Sequence, residues 1–433
     1  MHAARSFHAG DQASSVGALV TFGYLLLTAF LVGGLFKRLR LPRLTGYIAT
    51  GIAVGPAALG LVSARAVESL QIFSGVAVAL IALTAGTELE LRAMRPLLRT
   101  IAWVTLVAVC GTTLLLATAV FLARGMLPFM HGMTTGHAVA LSLVLGVVMV
   151  AQSPAVVVAL RKELDAEGPV ASTVLGVVVI ADLVVILLFA IVSAFAKSTF
   201  GQASQQGLVP ALAWELLGSL VAGVLIGVIL AAFLRFARGG SALFVLTVCF
   251  VVAEVGRRLH LDPLLVALSA GVFIRNTTDV GDDLHEGIEG SSLPVYVIFF
   301  AVAGATIHLD VLGVVGLPAV LFVLVRGTGF LIGNNVAARI AGAPDAVRRW
   351  AGFGLLPQAG LALALASLFA KAFPEFGADA AALTLSVVAI NEIVAPALYR
   401  MALVRAGEAS RTAPASTSPS LPPGDVVVAS PET

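Results

Sequence analysis

The chain has 433 residues, 59% of them hydrophobic and only 12% charged, with a mean hydropathy of +1.02 and a formal net charge of +2. Soluble domains carry about 25% charged residues, so the composition excludes a soluble globular protein and points to one that crosses a membrane many times. The 26 basic residues lie in short loops rather than a patch, which argues against a nucleic-acid partner.

Residues 1–15 are polar and read as an extracytoplasmic N-terminus. The apolar run 16–36 ends in KRLRLPR instead of a small-residue cleavage site, so it reads as a retained span and not a signal peptide. Hydropathy and breaker residues predict thirteen spans, at 16–36, 44–62, 70–91, 99–123, 137–160, 168–196, 208–234, 241–257, 262–276, 293–314, 315–341, 347–372 and 379–404. The ninth is short, and no charge marks the split near Gly313 between the tenth and eleventh. Residues 405–433, rich in Pro, Ser, Thr and Ala, read as a disordered tail without a soluble regulatory domain. Cys110 and Cys249 lie inside apolar runs and read as small core hydrophobes. The expected fold class is an all-α polytopic membrane protein.

Lys and Arg fall mostly in alternate loops, among them those holding Lys37 to Arg43, Arg92 to Arg99, Arg161 with Lys162, and Arg235 with Arg238. By the positive-inside rule the N-terminus is outside and the tail cytoplasmic, in the cell (inner) membrane. The acidic stretch TTDVGDDLHEGIEG reads as a cytoplasmic loop.

An internal repeat is visible. Ala85–Gly86–Thr87–Glu88–Leu89 of the third span resembles Ala303–Gly304–Ala305–Thr306–Ile307 of the tenth, and ATGIAVGP (49–56) has an echo in SAGVFIRN (269–276). A displacement of seven helices is odd, so the two copies have opposite orientations and the spans decompose as six, a linker helix and six. Inverted repeats are a signature of secondary transporters. The same offset pairs the fifth span, interrupted by Gln152–Ser153–Pro154, with the twelfth, interrupted by Pro357–Gln358. A mid-span proline frees backbone carbonyls, which lipid cannot satisfy but a polar cavity or an ion can. Two crossed broken helices are therefore expected in the core, beside the sixth span.

That sixth span, 168–196, has one carboxylate at its middle, Asp182, among uncharged residues. An acid there costs roughly 2.5–3.5 kcal/mol on insertion scales and marks an ion or proton path. It reads as a group that takes up a cation and a proton in turn. Arg326 lies inside the eleventh span, and Asn391 and Glu392 inside the thirteenth. Gly51 and Gly55 make a small-xxx-small face for close packing. Glu88 with Arg92, and Glu254 with Arg257 and Arg258, read as helix-end ion pairs, and Glu215 suits a helix N-terminus.

GYIATGIAVGP (46–56), ALTAGTELELRAMRP (82–96), the Asp182 helix, GLLPQAGLALALA (354–366) and NEIVAPAL (391–398) resemble monovalent cation:proton antiporters, in the branch with bacterial Na⁺/H⁺ exchangers and potassium-efflux systems. The resemblance covers about 16–404. It implies a thirteen-helix homodimer with a mobile core (99–196 and 315–404), dimerisation helices (16–91 and 241–314) and a linker helix (208–234).

The resemblance makes Asp182 the ion-binding aspartate, holding a monovalent cation, with Ser153 and Gln152 the nearest further oxygen ligands. Pro154, Pro357 and Gln358 would shape the broken helices. Arg326 matches a basic core position; Glu392 is expected as its partner, or else Asp182, and Asn391 as a helper that satisfies the breaks. Relatives often have Asp, Asn or Gln before the aspartate, whereas this chain has Ala181, which favours electroneutral exchange. The expected function is antiport of Na⁺ or K⁺ against H⁺ by alternating access. A gated cation channel on the same scaffold, or a non-transporting receptor, are the alternatives. No cofactor and no enzyme activity are implied: no nucleophile–base pair, metal-ligand spacing or phosphate loop is present.

Overall fold

The structure is a computed structural model that describes residues 15–39, 41–201, 208–236, 241–259, 261–306, 309–358, 361–362, 365–366, 369–370, 373 and 375–409. The expected polar N-terminus, save its last residue, and the tail beyond 409 lie outside the described residues. The helices are α1 (Ser15–Arg38), α2 (Arg43–Val54), α3 (Ala64–Glu88), α4 (Leu98–Val104, a π-helical Thr105–Cys110 and Gly111–Leu122), α5 (Thr135–Val150), α6 (Pro154–Leu164), α7 (Pro169–Thr199) and α8 (Leu208–Phe236). They continue as α9 (Ser241–Leu259), α10 (Pro263–Thr277), α11 (Gly281–Ala305), α12 (Leu309–Ala341), α13 (Asp345–Gly354) and α14 (Gly377–Ala406).

Among the described residues seven helices are long and apolar enough to cross a membrane, and a bent pair, Ala64–Leu70 with Gly75–Thr87, makes an eighth. Leu243–Gly256, Pro263–Thr277 and Leu293–Ala305 are shorter apolar helices. Three boundaries differ from expectation. α2 stops at Val54, because Gly55 turns extended (φ −66°, ψ 174°) and Pro56 cannot continue the helix. α11 begins at Gly281, so the stretch expected as a loop lies largely in its first turns. The split expected near Gly313 falls earlier, between Ala305 and Leu309, with Asp310 at the second position of α12.

Packing sorts the helices into two groups. α1, α2, α3, α9, α10 and α11 pack together, chiefly α10 on α3 and α11 on α2, while α4, α5, α7, α12, α13 and α14 form the second group. α8 lies along α10, and the half-helix α6 touches α3 of the first group and α7 of the second. Large apolar side chains such as Leu114, Leu122, Leu225, Leu324 and Ile332 are exposed on the outside, the surface a bilayer would cover.

Glycines set the closest crossings. A Cβ at Gly51 would strike the Ala301 carbonyl, and one at Gly304 the Ile48 carbonyl, so α2 and α11 meet backbone to backbone. α3 and α10 meet likewise, Gly86 against the Leu268 carbonyl and Gly271 against that of Leu83. The small-residue face at Gly51 and Gly55 is thus used within the chain. The expected Glu254 ion pair forms with Arg258 at 2.7 Å; the side chains of Glu88 and Glu215 lie outside the described residues.

Candidate functional site

α5 ends at Val150, and Ala151, Gln152 and Ser153 are non-helical before α6 starts. Pro154 takes the first helical position of α6, where its missing N–H costs nothing, and Ser153 caps that end by accepting from Val156 N at 3.3 Å. α13 likewise ends at Gly354, and Leu355 to Gln358 leave the helix around Pro357. Each break presents the negative end of a half-helix, with carbonyls that have no partner of their own.

Arg326, on α12, fills both gaps. It is fully buried and donates through Nε to Met149 O (2.8 Å), through Nη2 to Ala151 O (3.0 Å) and Leu355 O (3.4 Å), and through Nη1 to Leu356 O (2.6 Å). Its guanidinium also lies 4.8 Å from the centroid of the Phe330 ring. Gln358 Nε2 donates to the same Met149 carbonyl at 2.8 Å, and Gln358 Oε1 accepts from Asn391 Nδ2 at 2.8 Å. Asn391 reaches back to Val387 O as well (3.1 Å). The structure therefore joins the breaks at Pro154 and Pro357 with Arg326, Gln358 and Asn391 in one network.

The expected pairing of Arg326 with Glu392 or Asp182 is not formed. A guanidinium offers five donors in a fixed fork, and here those donors are spent on carbonyls at two negative helix ends. Glu392 is buried, 4% exposed, and stands apart from that network.

Asp182 lies at mid-length in α7, 3% exposed, and its Oδ1 has no hydrogen-bond partner. Gln152, 1% exposed in the first break, has neither amide atom bonded. No hydrogen bond joins Asp182 to Gln152 or Ser153. Buried polar atoms are nearly always satisfied, so a carboxylate oxygen and an amide left open are groups that a cation or a proton can complete. Ala181 is buried beside Asp182 in sequence and adds no polar atom.

One acid escaped the sequence reading. Asp262 caps α10, accepting from Leu264 N (2.8 Å) and Leu265 N (3.4 Å), and its own N–H donates to Ser219 Oγ of α8 at 2.8 Å. It is partly buried where α10 meets α8. In sequence, Asp262–Pro263 reads only as a cap followed by proline. Its depth follows from the length of α10, whose 15 residues span roughly 22 Å.

The far end of α7 is held by Glu408. Its carboxylate accepts from Val170 N (2.7 Å) and Ala171 N (2.8 Å), Glu167 N donates to Glu408 O (3.0 Å), and Ala166 and Ala409 form an isolated bridge. Residues 405–409, expected in the tail, are thus part of the fold. Burial lifts the Glu408 carboxyl above its usual range, and the bonds from Ala171 and Val170 and the charge of Arg161 pull the other way.

Residues 26–404 match the family model described as sodium/hydrogen exchanger, transmembrane. The chain belongs to that family, the monovalent cation:proton antiporters. It is 26% identical over 373 residues to the iron transporter MagA of Paramagnetospirillum magneticum, covering 86% of this chain and 82% of MagA. It is 27% identical over 359 residues to the Na⁺/H⁺-K⁺ antiporter GerN of Bacillus cereus, covering 79% and 85%. With the Na⁺/H⁺ antiporter NhaS5 of Synechocystis it shares 24% over 330 residues, 75% of this chain but only 44% of that longer protein. Among solved structures, the sodium proton antiporter MjNhaP1 of Methanocaldococcus jannaschii has the same fold, with a TM-score of 0.74 at 15% identity over 90% of this chain and 98% of the other.

Proposed function

We propose that the protein exchanges Na⁺ or K⁺ for H⁺ at a single site centred on Asp182. The observation that carries the reading is a buried carboxylate with an unpartnered oxygen, in a chain whose two broken helices are tied together by Arg326. A proton and a desolvated cation can each satisfy Asp182 but not both at once, so the two compete, and Gln152 and Ser153 offer further oxygens as hard cations require. Arg326, Gln358 and Asn391 hold the breaks in place without touching the ion. The names of NhaS5 and GerN support sodium, and that of GerN potassium as well. Iron, from the name of MagA, is disfavoured because no group of three His, Cys, Asp or Glu side chains is gathered among the described residues.

In this reading the α4–α7 and α12–α14 group is the mobile core, the α1–α3 and α9–α11 group holds the homodimer interface, and α8 links them. The paired crossings, α2 on α11 and α10 on α3, support an inverted repeat, since each helix of one pair corresponds to a helix of the other. Alternating access across the inner membrane, with the N-terminus outside and the C-terminus in the cytoplasm, follows from the repeat and the distribution of basic loops. The network that closes both breaks favours a carrier over the channel alternative.

One proton for one monovalent cation moves no net charge. Electroneutrality rests on Ala181, which leaves Asp182 the only acid on α7; Glu392 and Asp262 are the acids a second proton would implicate. Proteoliposomes with an internal pH dye, given each alkali cation in turn, test the substrate. The cation gradient that balances a fixed pH gradient should then stay put when the membrane potential is changed. A shift matching one charge per cycle would contradict electroneutral exchange.

A further inference from the structure

A cavity of about 260 Å³ opens where the end of α1, the start of α2, the end of α6 and the side of α11 meet. It lies at the end of α6 that carries Arg161 and Lys162, and Asp182 is not among its lining residues. Its rim is basic: Lys37, Arg43 and Lys162 line it, opposed by Glu163 alone. Glu163 is already engaged, accepting from Arg43 N at 2.7 Å. Arg43 Nε is buried with no hydrogen-bond partner among the described residues, while the same guanidinium lies against Tyr47 and Glu163. Tyr47, one turn along α2 from Arg43, and Tyr296 of α11 add two phenol groups to the wall. Leu293 and Phe300 of α11 continue the lining as an apolar strip, and Leu293 is 44% exposed.

An excess of positive charge disfavours a transported cation here and favours an anion. Buried donors, flexible lysines and a forked guanidinium are the groups that bind phosphate. The volume falls just below the roughly 300–1,000 Å³ of small-molecule pockets, which suits a headgroup and not a whole lipid. An apolar strip leading from a basic rim to a half-exposed leucine would accommodate the start of an acyl chain, and basic pockets between membrane helices take up anionic headgroups. We propose that this cavity binds a phosphate group, as the headgroup of an anionic phospholipid or as free phosphate. The site goes beyond the transport reading and does not depend on it, since occupancy is measured without transport.

The test is native mass spectrometry of the full chain, purified and stripped of lipid, titrated separately with phosphatidylglycerol, with zwitterionic phosphatidylcholine and with inorganic phosphate. The variant pair Arg43→Gln with Lys162→Gln removes two rim charges. Arg92→Gln with Arg95→Gln, exposed and outside the cavity lining, is the charge-matched control. About 1 kcal/mol per basic group gives an expected loss of roughly 30-fold in the affinity for the first bound ligand in the rim variant. The control should stay within about threefold of the wild type. Should the double variant misfold, Lys37→Gln alone, on the exposed rim, should still lower affinity about fivefold. Selective loss for phosphatidylglycerol identifies a lipid site, and the same loss for inorganic phosphate identifies a free-anion site. Equal behaviour of rim and control variants toward both ligands would overturn the proposal.

Discussion

Arg326 and Gln358 converge on one acceptor: Nε of the first and Nε2 of the second each donate to the Met149 carbonyl at 2.8 Å. That carbonyl belongs to the last turn of α5, and Gln358 belongs to the other break. Two interruptions far apart in sequence are therefore locked by a shared hydrogen bond, in surroundings where unmet carbonyls would each cost about 1–3 kcal/mol.

Arg326→Ala strands the carbonyls of Met149, Ala151, Leu355 and Leu356, and should cost at least ~3 kcal/mol of stability in detergent. Because Glu392 takes no part in that network, the loss from Glu392→Ala should add to it within about 0.5 kcal/mol. Recovery of stability in the double variant would restore the ion pair that the carbonyl network displaces. Thermal unfolding of the four proteins decides.

Gln358→Leu removes both the link to Met149 and the acceptor of Asn391, for an expected loss of about 1–3 kcal/mol. In that background Asn391→Ala should cost less than in the wild type, with a coupling of roughly 0.5–1.5 kcal/mol. Zero coupling in a double-mutant cycle would mean that the side-chain bond contributes nothing.

Glu408 gives a pH dependence with a definite sign. Its carboxyl is lifted by burial, so the folded protein holds that proton more tightly than the unfolded chain does. The corresponding stabilisation is fully present below the unfolded value of about 4.5 and is lost as pH rises through the raised folded value. The melting temperature of the wild type should therefore rise relative to Glu408→Gln between pH 7.5 and pH 5. A gap that is constant, or that narrows on acidification, contradicts the assignment.

Gly86→Ala drives a Cβ into the Leu268 carbonyl and should destabilise by roughly 1–3 kcal/mol. Gly111→Ala, within α4 and with open space around the new methyl, should be neutral or gain up to about 1 kcal/mol from helix propensity. Melting temperatures of the two variants test whether close crossing, and not glycine content, fixes α3 against α10.

Much of the site was legible in the sequence because its signals are chemical. Pro154 and Pro357 mark the breaks by lacking an N–H, and the burial of Asp182 follows from the apolar run around it. The partners of Arg326 were not legible. They are backbone carbonyls, which every residue carries, whereas Glu392 stands out in the sequence as a charged side chain within the thirteenth span. Asp262 was missed for a related reason, since a cap before proline looks the same at a surface as at mid-depth. Only the packing of α10 on α8, where Asp262 N donates to Ser219 Oγ, shows that this cap is partly buried. The helical start of α11 was hidden because an acidic stretch is polar in composition and reads as a loop by hydropathy alone.

The most direct test of the single-site account is cation-driven proton movement by Asp182→Asn in proteoliposomes carrying a pH dye, beside the wild type at matched protein content. Asparagine keeps the shape and the buried packing but can neither bind a proton nor carry the charge that attracts a cation. The account predicts wild-type vesicles that acidify or alkalinise on addition of Na⁺ or K⁺, and no cation-dependent signal above empty vesicles for the variant, with its melting temperature retained. Substantial exchange by Asp182→Asn would contradict it.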